Sequence, residues 1–212
     1  MKAVIFDMDG VIVESEGLKE IAWDKMLKFY GIEGGGDFYR KRAGIPRRFL
    51  CSEIIREKDI QASVEDMIEK KQEIYMKLAN KKLRAVPGVI DFLKSIPRSK
   101  FKLGVASSNY KDVIEKQLKQ IGVLELFDEI TSGVEEVDED KPSPEIYILT
   151  TKKLGVGPDE CVAIEDTEAG VESAKRAGMK CVGYQNPKTR EQNLEKADIV
   201  INDFSELDVS AF

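Results

Sequence analysis

Five short stretches of this chain are largely apolar at consecutive positions rather than at alternate ones: Ala3 to Phe6, Phe101 to Ala106, Cys161 to Ile164, Lys180 to Gly183 and Ile199 to Ile201. A strand with one wet face alternates, so runs of this kind predict strands covered on both faces, as in a parallel sheet. Helical patterns lie between most of them. Ile114, Leu118 and Ile121 recur at i, i+4 and i+7, and Ile146, Leu149, Thr150 and Leu154 make a similar stripe before the third run. Strands alternating with helices predict an α/β fold on a doubly wound parallel sheet. Such sheets gather ligands at the carboxyl ends of their strands, so chemistry is expected in the residues that follow each run.

The alternation fails between about residues 14 and 82, where helical patterns continue without a buried strand. The chain therefore divides into a core of residues 1–13 and 83–212 and an all-helical insert over 14–82. The last helix of the insert is predicted to start at Ser63, with Asp66 three residues on in a capping-box arrangement, and to carry Val64, Ile68, Lys71, Tyr75 and Leu78 on one face. Lys71 is out of place in that stripe, as a snorkelling side chain or as a lysine turned toward a ligand. Arg84-Ala85-Val86-Pro87-Gly88 punctuates the return to the core.

Composition removes whole classes of chemistry. The sequence contains no histidine, which excludes Ser-His-Asp and Cys-His triads, histidine-ligated zinc and any imidazole acid or base. With 33 Lys and Arg against 39 Asp and Glu the net charge is −6, so no general basic surface invites nucleic acid. Cys51, Cys161 and Cys181 stand far apart, suggesting neither a disulfide framework nor a thiolate metal site, and a reducing cytoplasm is the expected location. The opening MKAVIFDMDG is stopped by two aspartates after a short apolar run, too short for a signal peptide or a membrane span.

What remains is carboxylates, lysines and hydroxyls at strand ends. Asp7 and Asp9, with Gly10 behind them to permit a sharp turn, follow the first strand. Such a pair suits a nucleophile and an acid/base, and a divalent cation with a preference for oxygen, such as Mg²⁺, would relieve its repulsion; alone, it equally suits a turn or helix cap. Ser107, Ser108 and Asn109 follow the second strand ahead of a helix, an anion-binding arrangement or a plain N-cap. Lys141 precedes Pro142 and Pro144, which restrain the local backbone and suit a phosphate ligand, although an isolated lysine is more often solvated. Glu165 and Asp166 follow the strand Cys161 to Ile164. Together these four groups compose a phosphate-and-magnesium site. The acidic run Glu135 to Asp140 lacks the spacing of a calcium loop and is expected to be solvated.

The order and spacing resemble the haloacid dehalogenase superfamily of phosphotransferases, through Asp7-Met8-Asp9-Gly10-Val11, Ser107 in Val105-Ala106-Ser107-Ser108-Asn109, Lys141-Pro142 and Glu165-Asp166. The helical insert resembles the family's small cap, and the motif details resemble its β-phosphoglucomutase and sugar-phosphate phosphatase branch. The resemblance implies that Asp7 is the nucleophile that forms an aspartyl-phosphate and Asp9 the general acid/base. It implies that Ser107, Ser108 and Lys141 hold the phosphoryl oxygens, and that Asp7, Asp9, Glu165 and Asp166 form the Mg²⁺ site.

Within that branch, mutases carry a histidine early in the cap, where this chain has Lys19, four residues before Trp23. Its absence favours a phosphatase for a sugar phosphate, polyol phosphate or phosphoglycolate over a β-phosphoglucomutase. A catalytically silent binding protein of the same fold is a third reading, disfavoured by the intact Asp7, Asp9, Lys141 and Asp166. Ser15, Lys19, Arg47, Lys71 and Tyr75 are the insert residues expected to face substrate, Arg47 and Lys71 through a second anionic group. The expected partner is a small phosphate ester, not nucleic acid or membrane, with the chain a monomer or a weak homodimer.

Overall fold

The computed structural model describes residues 1–42, 45–187 and 192–208. It divides into two compact units, one of Met1–Glu14 with Arg84–Phe212 and one of Ser15–Leu83.

The first unit holds a six-stranded sheet in which every described pairing is parallel: β1 (Ala3–Phe6), β2 (Lys102–Ser107), β3 (Glu129–Ser132), β4 (Cys161–Glu165), β5 (Lys180–Tyr184) and β6 (Ile199–Ile201). Their spatial order is β3-β2-β1-β4-β5-β6, so the winding reverses between β1 and β4. All four residues of β1 are buried, and they divide by alternation: Ala3 and Ile5 join the cluster of Ile146, Tyr147 and Val171, while Phe6 meets Phe92 and Phe127 edge to face. Two covered faces are what the consecutive apolar pattern requires. Five strands stand where the apolar runs lie, but β6 is not covered on both faces as its run predicts: it is the edge strand, and Ile199 and Val200 are exposed. The sixth, β3, has no such run, because half-buried Ile130 is its one aliphatic residue and its buried side chains are the hydroxyls of Thr131 and Ser132. Phe6 lies level with Val105 of β2 and Ile164 of β4, which brings the turns after these three strands together at one end.

Between the strands run helices of the lengths expected for crossovers: α5 (Val89–Ser95), α6 (Lys111–Gln120), α7 (Glu145–Leu154) and α8 (Glu168–Arg176). Helix α7 packs on β1, β2 and β3, and α8 on β4 and β5. The acidic run departs from its expected solvation at Glu136, which accepts from Ser132 N at 2.7 Å and pairs with Lys153.

The second unit holds α1 (Glu16–Phe29), α2 (Gly35–Arg40), α3 (Arg47–Lys58) and α4 (Val64–Lys82) around Trp23, Met26, Leu27, Leu50, Ile54 and Met67. The capping box of α4 forms as the sequence predicts: Ser63 Oγ accepts from Asp66 N at 3.0 Å and Ser63 N donates to Asp66 Oδ2 at 3.2 Å. The buried rail of α4 runs through Met67, Lys71, Tyr75 and Ala79, so Val64, Ile68 and Leu78 are only half-buried, and Lys71 is buried at 9% exposure.

The chain leaves and re-enters the α/β unit through a narrow stem. Glu14 N donates to the Arg84 carbonyl at 2.9 Å, Val86 N to the Ile12 carbonyl at 2.9 Å, and Val13 pairs antiparallel with Ala85.

Candidate active site

At the reversal between β1 and β4 three carboxylates converge. One oxygen from each of Asp7, Glu165 and Asp166 lies within 4.8 Å of the others. Asp7 extends β1, its N–H donating to the Ile164 carbonyl at 2.9 Å, so the first carboxylate is fixed by the strand ladder that carries the other two. Two glycines make the room. Gly10 turns at φ +90°, a left-handed conformation that side chains resist, and a Cβ there would fall 2.0 Å from Asp166 Oδ2. A Cβ on Gly170 would fall 2.0 Å from Glu165 Cδ.

Lys141 reaches this cluster from the loop before α7, its bond to Pro142 being cis. Its ammonium donates to Asp7 Oδ1 at 2.7 Å, to Glu165 Oε1 at 2.6 Å and to the Ala106 carbonyl at 3.0 Å, using all three of its hydrogens. Burial would lower the pKa of this ammonium, but Asp7 and Glu165 outweigh it and raise it, so Lys141 is charged. For Asp7, burial dominates over the opposing pull of Lys141, and with Glu165 adding repulsion its carboxyl is pushed up to about 7.

The described residues of this cluster offer a cation only oxygen ligands, from three carboxylates packed where burial leaves their charge costly, and this donor set fits a hard divalent metal. Ser107 ends β2 with its Oγ buried and without a hydrogen-bond partner among the described residues. Ser108 follows it, exposed. Asp9 lies across from the turn after β2, its Oδ2 accepting from Asn109 Nδ2 at 2.6 Å.

Residues 4–184 match the sequence pattern of the haloacid dehalogenase-like hydrolases. The chain belongs to this family. It is similar to phosphatases and to mutases: it is 32% identical over 180 residues to a phosphorylated carbohydrates phosphatase of Thermotoga maritima, covering 85% of this chain and 83% of that one. It is 30% identical to a β-phosphoglucomutase of Bacillus subtilis, covering 98% of this chain and 92% of the relative. Among solved structures, CbbY from Rhodobacter sphaeroides in complex with phosphate superposes with a TM-score of 0.86 at 27% identity, over 98% of this chain and 96% of that one. A putative β-phosphoglucomutase from Thermotoga maritima does so with a TM-score of 0.80 at 30% identity, over 97% and 96%.

In this hydrolase the fold thus brings together Asp7, Asp9, Ser107, Lys141, Glu165 and Asp166. Several candidate residues of the helical unit have neighbours within that unit. Lys19 Nζ donates to Glu16 Oε1 at 2.6 Å, and Glu16 Oε2 accepts from Tyr39 OH at 2.9 Å. Lys71 Nζ stands 5.1 Å from the ring centroid of Tyr75, one turn on, and the charges of Lys71 and Arg47 both act on Cys51, whose thiol burial nevertheless pushes up to about 11. Ser15, the N-cap of α1, is buried and makes no side-chain capping bond.

Two side chains that the sequence reading did not assign belong to the site. Tyr147, hidden in an amphipathic stripe where an aromatic reads as core, donates its hydroxyl to Glu165 Oε1 at 2.7 Å and lies under Lys141, whose Nζ is 5.0 Å from its ring centroid. Asn186 Nδ2 donates to the Gly10 carbonyl at 2.7 Å and holds the turn that carries Asp9. Only the position of Tyr147, six residues after Lys141 and on the helix it introduces, offered a local clue.

Proposed function

We propose that this hydrolase is a Mg²⁺-dependent phosphatase for a small phosphorylated metabolite, a sugar phosphate, polyol phosphate or phosphoglycolate, acting through an aspartyl-phosphate on Asp7. The observation that carries the reading is the buried group of Asp7, Glu165 and Asp166 with Lys141 bonded to two of them, at the point where a doubly wound sheet collects its ligands.

Asp7 attacks phosphorus in line, forming its P–O bond as the ester P–O bond breaks, while Asp9 gives a proton to the departing alcohol. Asp9 then takes a proton from water, whose oxygen attacks phosphorus and releases Asp7 with inorganic phosphate. Ser107 and Ser108 donate to the phosphoryl oxygens together with Lys141. To do so Lys141 gives up one of its three bonds, and because Glu165 Oε1 also accepts from Tyr147, that oxygen stays satisfied when the lysine turns. Asp7, Asp166 and the backbone carbonyl of Asp9, supported by Glu165, would hold Mg²⁺, which when bound neutralises charge on the phosphoryl group. Residues Ser15, Lys19, Arg47, Lys71 and Tyr75 choose the substrate, with Arg47 and Lys71 suited to a second anionic group. The phosphatase works in the cytoplasm, which suits its three free, buried cysteines, as a monomer or weak homodimer that binds no nucleic acid. No helix among the described residues is long and apolar enough to cross a membrane.

Mutase activity is the second reading, favoured by the likeness to β-phosphoglucomutases and opposed by Lys19, an ammonium paired with Glu16 at the position where the resemblance to mutases leads one to expect a histidine. Phosphate release from a panel of small esters with Mg²⁺, run beside a coupled assay converting β-glucose 1-phosphate to glucose 6-phosphate, separates the two. Asp7→Asn should lower turnover at least about a thousandfold with the fold intact. Retained phosphate release in that variant would sink the mechanism.

A further inference from the structure

Asn109 closes the turn after β2, and none of the roles above uses it. Its Nδ2 reaches Asp9 Oδ2 at 2.6 Å, joining turns 100 residues apart in the sequence. Asn109 is itself pinned from a third strand end: its carbonyl accepts from Ser132 Oγ at 2.7 Å in a buried bond. Ser132 N in turn donates to Glu136 Oε2 at 2.7 Å, and Glu136 pairs with Lys153 of α7. With Asn109 only 9% exposed, a donor braced through β3 meets the carboxylate of Asp9.

An amide NH₂ can donate but not accept, so Asp9 Oδ2 is committed as an acceptor and the proton that Asp9 transfers must be carried on Oδ1. We infer that Asn109 is a positioning residue, fixing which oxygen of Asp9 handles the leaving-group proton and the direction in which it points. The inference rests on the acid/base role proposed above for Asp9. A proton donor matters in proportion to the basicity of the departing oxygen: p-nitrophenolate leaves without help, whereas a sugar alkoxide does not. Misplacing the acid therefore changes the dependence of kcat/KM on the leaving group, which a general loosening of the fold would not do.

The test is kcat/KM for p-nitrophenyl phosphate, phenyl phosphate and glucose 6-phosphate at saturating Mg²⁺, for the unaltered protein, Asn109→Ala, Asn109→Ser and Asp9→Ala. Both Asn109 variants should lose about tenfold or more on glucose 6-phosphate and about twofold or less on p-nitrophenyl phosphate, with Asp9→Ala showing the same gradient more steeply. Equal losses on all three esters in the Asn109 variants, or none, beside a steep gradient in Asp9→Ala, would overturn the positioning role and leave Asp9 as the acid. A flat profile in Asp9→Ala itself would overturn the acid/base role and the inference with it. The p-nitrophenyl phosphate rate reports in each variant whether the folded site persists, and the serine variant keeps a small polar side chain should alanine fail to fold.

Discussion

Charge is handled in opposite ways at the strand ends of the α/β unit and on the surface of the helical unit. In the α/β unit buried Asp7 and Glu165 and half-buried Lys141 are bonded at 2.6–2.7 Å, with a tyrosine closing the last contact. In the helical unit pairs such as Arg48 with Glu65 and Lys77 with Glu73 sit at the surface, and an apolar centre around Trp23 and Met26 holds the helices. Surface pairs contribute little, about 0–1 kcal/mol each. Buried ones rarely outperform the apolar packing they displace, so a buried cluster of this density marks a place where the chain spends stability on chemistry. Disturbing the first kind of charge should therefore cost activity and stability together, and disturbing the second kind should cost at most stability.

Gly170→Ala tests the first half hardest. Its Cβ would fall 2.0 Å from Glu165 Cδ, so the carboxylate must move, and the expected result is a loss of about 3 kcal/mol in urea unfolding with at least about a tenfold fall in turnover. Unchanged activity would mean that Glu165 is only a structural anion.

Mg²⁺ comes next. Asp7 titrates at about 7 in the folded protein against an ordinary 3.8, so across that window the native state keeps a proton that the unfolded chain has released. Metal-free stability should fall as pH rises from about 4 to about 7. A cation that displaces the proton should stabilise by about 2.7 kcal/mol at pH 8 when present at a hundred times its Kd there, and by less at pH 5. Thermal melts with Mg²⁺ or EDTA at the two pH values check the sign, and a larger metal effect at pH 5 would refute it.

The smaller effects belong to the helical unit. Ser63→Ala removes the cap of α4 and should cost about 1 kcal/mol while leaving kcat within about twofold. Gly17→Ala in α1, where nothing lies within 4 Å of the added methyl, should stabilise by about 0.5 kcal/mol. A large change in turnover from either would erase the contrast between the units.

The contrast also explains what could be read from the sequence. Strands buried on both faces announce themselves as apolar runs, which is why β1, β2, β4 and β5 were legible and the hydroxyl-bearing β3 was not, while β6 was legible from its aliphatic run although Ile199 and Val200 are exposed. Asp7, Lys141 and Glu165 were legible because each follows a strand or opens a helix, positions that the alternation alone identifies. Partners were not. The bond from Asn109 to Asp9 spans 100 residues and leaves no local trace, and the hydroxyl of Tyr147 is invisible in a pattern that records only that an aromatic is buried. In α4 the period was right and the phase was not: Met67 and Ala79, not Val64 and Leu78, complete the rail of Lys71 and Tyr75, since hydropathy alone cannot rank neighbouring apolar positions on a helix with a wide apolar face.

The stem at Val13 and Ala85 carries a consequence for the history of such a chain. Because Glu14 and Arg84 are joined by a main-chain hydrogen bond, the 69 residues of Ser15–Leu83 leave and return at one point, and from the standpoint of the sheet they form a closed loop whose length hardly matters. An ancestor could exchange that loop for a shorter or unrelated one without shifting the register of a single strand. On the proposal above that residues of the helical unit choose the substrate, preference and bond-breaking chemistry can then be inherited separately, and grafting a relative's helices between Glu14 and Arg84 is a direct route to a new specificity on an unaltered sheet.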